Sequence, residues 1–496
     1  MATTKDSFFD REIEINKLNQ RFDNLDKGGE LIFLFGRRRL GKTRLIEEFL
    51  KQHPENSVYT SIVEGSKKQI LKQISEDITK SGDFFESEEW DSLFRYLNQK
   101  SKNDKFIFVI DEFQRLNKRF QAIISRFQRE WDSPLKNNKL MLILVGSSIG
   151  MMRKVALEDS SPLLGRPTWQ FQLKPFSYLD FRKMFEGFSE EDKIKIYSIF
   201  GGTADYLTKL KKHISAEKEI NLLEVIKQLI LEESGELYQQ PENLLKSELK
   251  TSERYLEVLL SISHGAGKKS KEDILSKNKK RIKGLNYNSL GYYLKNLELF
   301  LDLIKLEQPL FFKGKMGKYN ISDNFFKFYF KFVYPNREAL KVGNYNFVFD
   351  KIVEDIDSYV GICYESIIRD TLTGFNGKKF GNLNLNFIRI GSWWNRNTEE
   401  IDICAEGKNN VLLGEAKWNK NPISKKIPEE LIRKSKLVNT RKEKELVVFS
   451  KNGFDEDCIK FMKGEGIKYF TLKNIEDIIL GRISQDWREF LKPEKI

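Results

Sequence analysis

The chain has 496 residues, too many for one hydrophobic core, so its length predicts roughly three to four domains. Charged residues make up 32%, the mean hydropathy is -0.50 and the longest apolar runs are strand-sized, so we expect a cytoplasmic protein without a membrane span or signal peptide. Three cysteines and three histidines without metal-ligand spacing argue against a zinc site, whereas the net charge of +13 favours nucleic acid as a partner, unless the lysines serve only solubility.

A phosphate-binding loop is predicted near the start of the chain. Residues 36–43 fit G-x-x-x-x-G-K-[ST] and follow the apolar run 31–34. Lys42 can reach the β- and γ-phosphates of ATP, and Thr43 can ligate Mg²⁺. Residues 44–50 predict a helix whose N-terminal dipole favours the bound anion. The predicted ATP contacts are Gly36, Arg37, Arg38, Arg39, Leu40, Gly41, Lys42, Thr43 and Arg44.

A second acidic strand follows, as an ATP site of this kind requires. Residues 105–112 form a buried-strand pattern that ends in two carboxylates. Asp111 is placed to hold Mg²⁺ through water, and Glu112 to orient the attacking water. Ser147 or Ser148, at the tip of the apolar strand 140–148, is a candidate sensor of the γ-phosphate, with Ser147 preferred; the alternative is a Gly-Ser turn that closes the strand.

The alternation of strands and helices predicts the fold of this first region. Residues 57–62 predict a strand, 67–99 a long helical region and 117–131 another helix. Strands that alternate with helices form a parallel sheet covered by helices, so we expect an α/β ATPase core over residues 1–175.

Three further segments match a known family. They are S-P-L-L-G-R at 161–166, a strand at 169–173 and G-G-T-A-D-Y-L at 201–207. The chain resembles the archaeal and bacterial P-loop ATPases that are AAA+-related and STAND-like, whose segments read approximately S-P-L-Y-G-R and G-G-x-P-x-Y-L. It departs from them at Leu164 and Ala204, two positions that supply neither charge nor a phosphate contact.

The resemblance implies a role for Arg166. This residue would act either as a sensor of the nucleotide state or as a finger that reaches the nucleotide of a neighbouring subunit. A finger requires a homo-oligomer in the ATP-bound state. The structural alternative is an arginine that anchors its own loop by a salt bridge.

The middle of the chain predicts a helical lid over 176–245 and a winged helix over 246–335. Three helices and a β-hairpin with its turn at 314–317 predict the latter fold. If it binds DNA, the third helix would face the groove and the wing would meet phosphates. The residues concerned are Asn288, Tyr292, Tyr293 and Lys295 on the helix, and Lys313, Lys315 and Lys318 on the wing. Packing between the ATPase core and the C-terminal domain is the alternative.

Residues 322–332 carry six aromatic side chains. An aromatic and basic stretch of this kind can stack bases. Six aromatic residues are nevertheless more than an exposed face normally carries, so a buried core helix is preferred.

The C-terminal region carries a second candidate site. Asp402 is followed after twelve residues by Glu415-x-Lys417, on two predicted strands joined by a short turn, and a preceding helix carries Glu365. In a β-hairpin Asp402 lies beside Glu415, and period-2 alternation puts Glu415 and Lys417 on one face. Asp402 and Glu415 can then hold Mg²⁺ or Mn²⁺, while Lys417 acts on the scissile phosphate and Glu365 serves as an accessory acid.

This spacing is that of a PD-(D/E)xK nuclease core, and residues 345–496 resemble the domain of unknown function that accompanies the ATPase family and is grouped with those nucleases. We therefore expect an α/β multidomain protein in which ATP controls a Mg²⁺-dependent nuclease acting on nucleic acid, with DNA favoured. Two alternatives stay open. In the first, the three residues lie on the surface of an ordinary sheet hairpin. In the second, the fold serves only for docking in an ATP-switched DNA-binding regulator.

Overall fold

The computed structural model divides the chain into two compact units. The first contains the described residues up to Pro175 together with Thr203–Asp205 and Lys295–Asp302, and the second contains the rest. No helix within the described part of the chain is long and apolar enough to cross a membrane. The structure describes residue 9 and residues 11–119, 121–156, 161–214, 221–249, 251–265, 268–279, 282–312, 316–396 and 399–482.

A five-stranded parallel sheet forms the centre of the first unit, which confirms the predicted α/β core. Its strands are β1 (Glu30–Phe35), β2 (Ser57–Ser61), β3 (Phe106–Asp111), β4 (Leu140–Gly146) and β5 (Trp169–Gln172). They lie in the order β2-β3-β4-β1-β5. The helices are α1 (Glu12–Asp23), α2 (Lys42–Leu50), α3 (Lys67–Lys80), α4 (Trp90–Ser101), α5 (Gln114–Arg119), α6 (Gln121–Asp132) and α7 (Ile149–Ala156).

Helices cover both faces of this sheet, since β3 and β4 are buried along their whole length. On β1, Phe33 belongs to the apolar cluster that includes residues of α3, α4 and α6, whereas Ile32 and Leu34 belong to the cluster that includes residues of α1 and α2. Alternate residues of one strand thus anchor it in two cores. The carboxyl ends of β1 and β3 are therefore held firmly at one edge of the sheet.

Each of the two longer helical regions predicted for this unit consists of two helices. The region 67–99 is α3 and α4, because the chain turns at Gly82, whose φ of 99° suits glycine. The region 117–131 is α5 and α6. Because α5 begins at Gln114, only Phe113 separates Glu112 from this helix.

The second unit begins with helices and a small antiparallel sheet. The helices are α8 (Tyr178–Lys183), α9 (Glu190–Phe200), α10 (Ala204–His213), α11 (Leu222–Ile226), α12 (Gln240–Glu248), α13 (Ser252–Ser263), α14 (Lys271–Asn278) and α15 (Tyr287–Lys295). The first two residues of α10 and the last residue of α15 belong to the first unit. The strands are β6 (Lys268–Lys269), β7 (Ile304–Glu307) and β8 (Lys318–Ile321), with β8 in the middle. The sequence predicted the three helices α13 to α15 and the hairpin, but β6, with two residues, is too short for a recognisable pattern.

The aromatic stretch forms α16 (Asn324–Phe328) and the π-helical turns Tyr329–Val333 that continue it. Its phenylalanines at positions 325, 326, 328 and 330 are each 0% exposed. The preference for a core helix over a base-stacking surface is therefore confirmed. The short helix α17 (Arg337–Lys341) follows.

A long helix and a five-stranded mixed sheet complete the second unit. The helices are α18 (Tyr345–Gly374), α19 (Lys426–Leu437), α20 (Glu456–Gly464) and α21 (Leu472–Ile479). The strands are β9 (Lys379–Phe380) and β10 (Leu383–Asn384), which pair with each other, and β11 (Phe387–Trp394), β12 (Glu400–Gly407), β13 (Asn410–Lys417), β14 (Glu443–Ser450) and β15 (Lys468–Thr471). In the order β11-β12-β13-β14-β15, the first three strands are antiparallel and the last three parallel.

One face of this sheet packs against α19 and α20. Val411 and Leu413 of β13 share an apolar cluster with Leu431 of α19 and Met462 of α20. Because alternate residues of a strand share a face, Glu415 and Lys417 continue the same face at the carboxyl end of β13. The apolar core thus ends in a polar corner that α19 borders.

Candidate functional site

The phosphate-binding loop joins β1 to α2, and its glycines are needed for its shape. A Cβ at Gly36 would lie 2.7 Å from the carbonyl oxygen of Leu173, so a side chain there would collide with backbone. Gly41 has a φ of 87° and is followed at once by Lys42, the first residue of α2. The loop therefore leads directly into the amino end of a helix, whose free N–H groups favour an anion.

Lys42 lies inside this loop. Its ammonium donates hydrogen bonds to the carbonyl oxygens of Gly36 at 2.8 Å and Arg37 at 2.9 Å, and the residue is 6% exposed. The loop's own carbonyl groups hold the charge in place. This position suits the predicted contact between Lys42 and the phosphates of ATP.

Asp111 ends β3, and its carboxylate meets the Thr43 hydroxyl at the start of α2. Thr43 Oγ1 donates to Asp111 Oδ2 at 2.9 Å, and the Tyr59 hydroxyl from β2 donates to the same oxygen at 2.7 Å. The backbone N–H of Glu112 donates to Asp111 Oδ1 at 2.7 Å. A hydroxyl and a carboxylate side by side are the hard oxygen ligands that Mg²⁺ takes in nucleotide sites, so Thr43 and Asp111 fit the ion.

Glu112 follows β3 with a φ of 54°, a strained conformation for a residue with a side chain. Its Oε2 accepts hydrogen bonds from the Gln114 amide at 2.7 Å and the Ser147 hydroxyl at 3.3 Å. The same oxygen lies 3.5 Å from Nε of Arg115. The structure therefore brings Ser147 into the site, where it contacts the carboxylate that is predicted to orient water.

Tyr59, Gln114 and Arg115 were missed by the sequence analysis. Each stands close to the carboxyl end of a parallel strand, which is the edge where α/β sheets bind ligands. Among the described residues, the buried amide oxygen of Gln114 has no hydrogen-bond partner. A search for polar residues near the carboxyl ends of the predicted parallel strands would have identified these three residues.

Two arginines of the loop contact a segment that the sequence identified only as a family marker. Arg37 is 5% exposed and donates to the Thr203 hydroxyl at 3.2 Å. Arg39 lies 3.6 Å from the carboxylate of Asp205, whose N–H donates to the Arg39 carbonyl at 3.2 Å. The G-G-T-A-D-Y-L segment thus contributes residues 203–205 to the surroundings of the loop.

The other predicted ATP contacts are placed differently. Leu40 is 2% exposed and belongs to an apolar cluster of the first unit. Arg44 lies 3.6 Å from Glu47 of its own helix, and Arg38 is partly exposed. For Leu40 in particular, only the backbone remains for a contact with phosphate.

Arg166 lies near the amino end of β1, whereas the phosphate-binding loop follows the carboxyl end of that strand. Its guanidinium donates to both oxygens of Asp132, with distances from 2.9 to 3.1 Å. Two residues later, Thr168 bonds to the carbonyl of Leu31 near the start of β1, whereas the loop follows the end of β1. The salt bridge named as the alternative is therefore present, and the role of Arg166 at a nucleotide stays a prediction.

The residues of the second candidate site meet at the corner where β12 begins and β13 ends. Ile403 pairs with Gly414, so the same register places Asp402 opposite Glu415. Lys417 Nζ lies 2.8 Å from Asp402 Oδ2 and 2.5 Å from Glu415 Oε2. The backbone N–H of Ala416 donates to Asp402 Oδ2 at 3.0 Å. The geometry predicted from the spacing is present in the structure.

Burial and nearby charges shift the pKa values of Asp402, Glu415 and Glu365 in different directions. Burial, with Asp402 close by, raises the pKa of Glu415 above its usual range and raises the pKa of Glu365 to about 8. Burial raises the pKa of Asp402, but the charge of Lys417 and the hydrogen bond from the Ala416 N–H outweigh burial, so the pKa of Asp402 is lowered. Asp402 is therefore the first of the three carboxyl groups to ionise as the pH rises.

Three cations near this corner were not predicted. Lys434 from α19 lies 2.9 Å from Glu415 Oε1. Arg369, one turn after Glu365 on α18, donates to the backbone oxygen of Asp402 at 2.6 Å. Lys268 from β6 is buried and lies 3.2 Å from Glu400 Oε1. These three cations lie outside the motif formed by Asp402 and Glu415-x-Lys417, so the spacing of that motif does not identify them.

Asp402 and Glu415 fit a divalent ion of the Mg²⁺ type. Among the residues that the structure describes, no group of three or more His, Cys, Asp and Glu side chains is arranged to hold a metal ion. Mg²⁺ is commonly bound by one or two carboxylates, with water and substrate phosphates completing its shell. A pair of adjacent carboxylates is sufficient for such a site.

The predicted DNA-facing residues separate into two groups. Asn288, Tyr292 and Lys295 lie on an exposed face of α15. Tyr293 is 6% exposed and its hydroxyl accepts a hydrogen bond from Arg254, so its prediction as a groove contact is wrong. A residue at the next helical position points into the core because it is turned about 100° from Tyr292.

The hairpin of the small sheet packs against β11. The N–H of Leu310 donates to the carbonyl of Ser392 at 3.1 Å, and Leu310 belongs to the apolar cluster of the C-terminal sheet. Lys318 Nζ lies 5.0 Å from the ring centre of the buried Trp394. Lys318 thus makes a cation–π contact in the structure, and its phosphate contact stays a prediction. Lys313 and Lys315 lie outside the described residues.

Two families match parts of this chain. Residues 8–210 match the family described as "ATPase domain predominantly from Archaea". Residues 329–435 match the family described as "Archaea bacterial proteins of unknown function". The second match includes α18, β12, β13 and most of α19, and with them the corner formed by Asp402 and Glu415.

Individual proteins match over larger parts of the chain. An uncharacterised protein of Methanocaldococcus jannaschii is 33% identical over 439 residues, which are 87% of this chain and 92% of that protein. Another from the same archaeon is 43% identical over 56 residues, 11% of this chain and 54% of that protein. A solved structure, the Walker-type ATPase of Pyrococcus abyssi, has 21% identity and a TM-score of 0.47, covering 66% of this chain and 97% of its own.

Proposed function

This chain belongs to the predominantly archaeal P-loop ATPase family and carries the archaeal and bacterial domain of unknown function in its C-terminal part, and from that premise we propose that ATP controls a Mg²⁺-dependent nuclease in the same chain. The proposed substrate is nucleic acid, with DNA first. The observation that carries the proposal is the meeting of Asp402, Glu415 and Lys417 on adjacent strands. Two carboxylates and an ammonium at one corner are the groups that metal-assisted phosphodiester hydrolysis needs.

At the ATP site, each residue has a role that follows from its position. Lys42 would bind the β- and γ-phosphates, while Thr43 and Asp111 would hold Mg²⁺. That ion neutralises charge on the transferred phosphoryl group. Glu112 would orient the attacking water after it leaves the hydrogen bonds of Gln114 and Ser147. Arg166 is proposed to serve the nucleotide of a neighbouring subunit, which requires a homo-oligomer.

Glu112→Gln is expected to bind ATP and to hydrolyse it more slowly by roughly 10²–10⁴-fold, because an amide cannot accept the proton of the attacking water. Phosphate release and binding of labelled ATP would be measured on the same preparation. Glu48→Gln is the matched control, since Glu48 lies on α2 and pairs with the exposed Lys51 just after the end of that helix. Unchanged turnover in Glu112→Gln would remove Glu112 from the proposed mechanism.

At the C-terminal site, Asp402 and Glu415 would hold the divalent ion, which polarises the scissile phosphate and activates water. Lys417 would lie against the phosphate and balance its developing charge. Glu365, with its pKa of about 8, is a group that can exchange a proton near neutral pH. The proposal thus assigns each group of the corner a role that its charge permits.

The experiment that tests the function is an incubation of the pure protein with single- and double-stranded DNA and RNA, in Mg²⁺ or Mn²⁺. Each reaction is run without nucleotide, with ADP and with ATP. The Glu112→Gln protein is included because it is expected to remain in the ATP-bound state. Cleavage that requires the metal supports the proposal, and no cleavage under any of these conditions contradicts it.

DNA is proposed to contact the exposed face of α15 rather than the wing lysine that is described. Lys295→Gln is expected to flatten the dependence of log Kd on log salt by roughly 0.9 for the one duplex phosphate lost, measured by fluorescence anisotropy. Lys318→Gln is the matched control, since Lys318 lies over Trp394, and its slope is expected to stay unchanged. A flatter slope in the Lys318→Gln control alone would indicate that DNA contacts the wing and not α15.

The second candidate function is an ATP-switched DNA-binding regulator whose C-terminal domain only docks partners. It is favoured by the ion pairs of Glu415, each of whose oxygens lies next to a lysine ammonium. ATP-dependent DNA binding by the Glu112→Gln protein, without cleavage in any metal, would support this function instead.

A further inference from the structure

Both oxygens of the buried Glu415 are engaged by lysine side chains. Oε2 lies 2.5 Å from Lys417 Nζ, and Oε1 lies 2.9 Å from Lys434 Nζ. Glu415 is 2% exposed, and the side chain of Lys434 is 20% exposed. Any cation that binds Glu415 must therefore displace one of these two ammonium groups.

The two lysines are held with unequal strength. Lys417 is shared between Asp402 and Glu415, so its ammonium has two anionic partners. The ion pair of Lys434 is with Glu415. Because releasing Lys434 breaks one charge-assisted bond and releasing Lys417 breaks two, Lys434 is the group that an incoming cation displaces more easily.

Lys434 is also placed to remain near the site after it is displaced. It stands one turn after Leu431, which anchors α19 in the core beneath β13. Its backbone is therefore fixed while its long side chain can swing. An ammonium repelled by a divalent cation on Glu415 would turn to another anion. The nearby carboxylate of Glu399 is already paired with Arg433, so in a nuclease that other anion is the phosphate of the substrate.

We propose that Lys434 is the exchangeable cation of this site: it neutralises Glu415 until a divalent metal binds, and it then contacts a phosphate of the nucleic acid. This inference rests on the proposed nuclease function and adds a residue to it. Lys434 thereby acts as a substrate-binding group that is available only to the metal-loaded protein. An ion pair that merely stabilises α19 would have neither property.

The first test measures Mn²⁺ binding to the nucleotide-free, full-length protein by electron paramagnetic resonance. Lys434→Met is expected to bind Mn²⁺ about tenfold more tightly, because the competing charge-assisted bond is gone. Lys434→Arg keeps the charge and is expected to bind like the wild type. Lys436→Met is the matched control, since Lys436 is exposed on the same helix. Asp402→Asn identifies which Mn²⁺ belongs to this site.

The second test measures the affinity for a short DNA duplex in Ca²⁺ and in EDTA. Lys434→Met is expected to weaken binding about tenfold in Ca²⁺, through the lost charged contact, and to leave binding in EDTA unchanged. Lys434→Arg is expected to restore the affinity. Equal weakening in Ca²⁺ and EDTA would overturn the exchange, since it would mean that the lysine contacts DNA without the metal.

The two proposals fail in different ways. If the wild type shows no Mn²⁺ binding that depends on Asp402, the proposed nuclease function is overturned together with this inference. If that binding exists but Lys434→Met leaves it unchanged, only the inference is overturned. Thermal unfolding of each variant is measured in parallel, and Lys434→Gln replaces Lys434→Met if the methionine variant does not fold.

Discussion

Lys42→Ala is expected to reduce ATP hydrolysis below detection. The carbonyl oxygens of Gly36 and Arg37 hold the ammonium of Lys42 inside the phosphate-binding loop. Without Lys42, the loop loses the cation that is proposed to balance the negative charge of the β- and γ-phosphates. The measurement is steady-state phosphate release, together with the binding of a labelled ATP analogue.

The control for this prediction is Lys51→Ala. Lys51 follows the last residue of the same helix, pairs with Glu48 at 2.7 Å and has a side chain that is 59% exposed. Its removal is expected to leave turnover at the wild-type rate. Because Lys42 also bonds to the loop, thermal unfolding of both variants must be compared. Wild-type turnover in a folded Lys42→Ala protein would contradict the assignment of the loop.

Asp402→Asn is expected to abolish metal-dependent cleavage of nucleic acid while ATP hydrolysis continues. Asparagine has the shape of aspartate and can still accept the N–H of Ala416, but it lacks the charge that binds a divalent ion and pairs with Lys417. ATP hydrolysis is expected to persist because the phosphate-binding loop lies in the other unit of the chain. Cleavage and phosphate release are measured on the same preparation.

Two further variants sharpen this test. Glu406→Gln, on the same strand, removes a carboxylate that pairs with Arg389 and Lys442, and it is expected to cut normally. Lys417→Ala is expected to keep the metal but lose rate, since its charge acts on the phosphate. The variants are also combined with Glu112→Gln, so that control by ATP is not mistaken for inactivity. Normal cleavage by Asp402→Asn would show that the nuclease activity, if any, lies elsewhere.

The sequence predicted those parts of both sites whose residues lie close together in the chain or at the end of a clear strand pattern. The loop from Gly36 to Thr43 is continuous, and Asp111 ends a strand whose apolar pattern is unmistakable. Asp402 and Glu415 are neighbours because a short turn joins their strands, so their pairing follows from spacing alone. The parallel sheet of the first unit follows from the alternation of strands and helices.

What the sequence did not predict depends on packing between distant segments. Lys434 reaches Glu415 because α19 lies against β13, and no periodic pattern states which strand a helix will cover. The position of Arg166 depends on where β5 joins the sheet. Because β5 is parallel to β1, the residues just before β5 lie beside the start of β1, whereas the loop follows its end. The prediction that Tyr293 faces a DNA groove was also wrong. Tyr292 and Tyr293 are adjacent and of the same residue type, so the sequence alone does not tell which of them faces the core.

The packing of Leu310 against β11 has a consequence for which segments of this protein can be exchanged by recombination. A Cβ at residue 391 would lie 2.7 Å from the Leu310 side chain, so the glycine at that position and the leucine fit each other. Lys268 and Glu400 form a second matched pair between the same two regions. A recombination event that exchanged only the last 150 or so residues, the size of an ordinary domain, would leave both halves mismatched. The small sheet and the C-terminal sheet are therefore expected to be passed on between genomes together, as one unit of exchange.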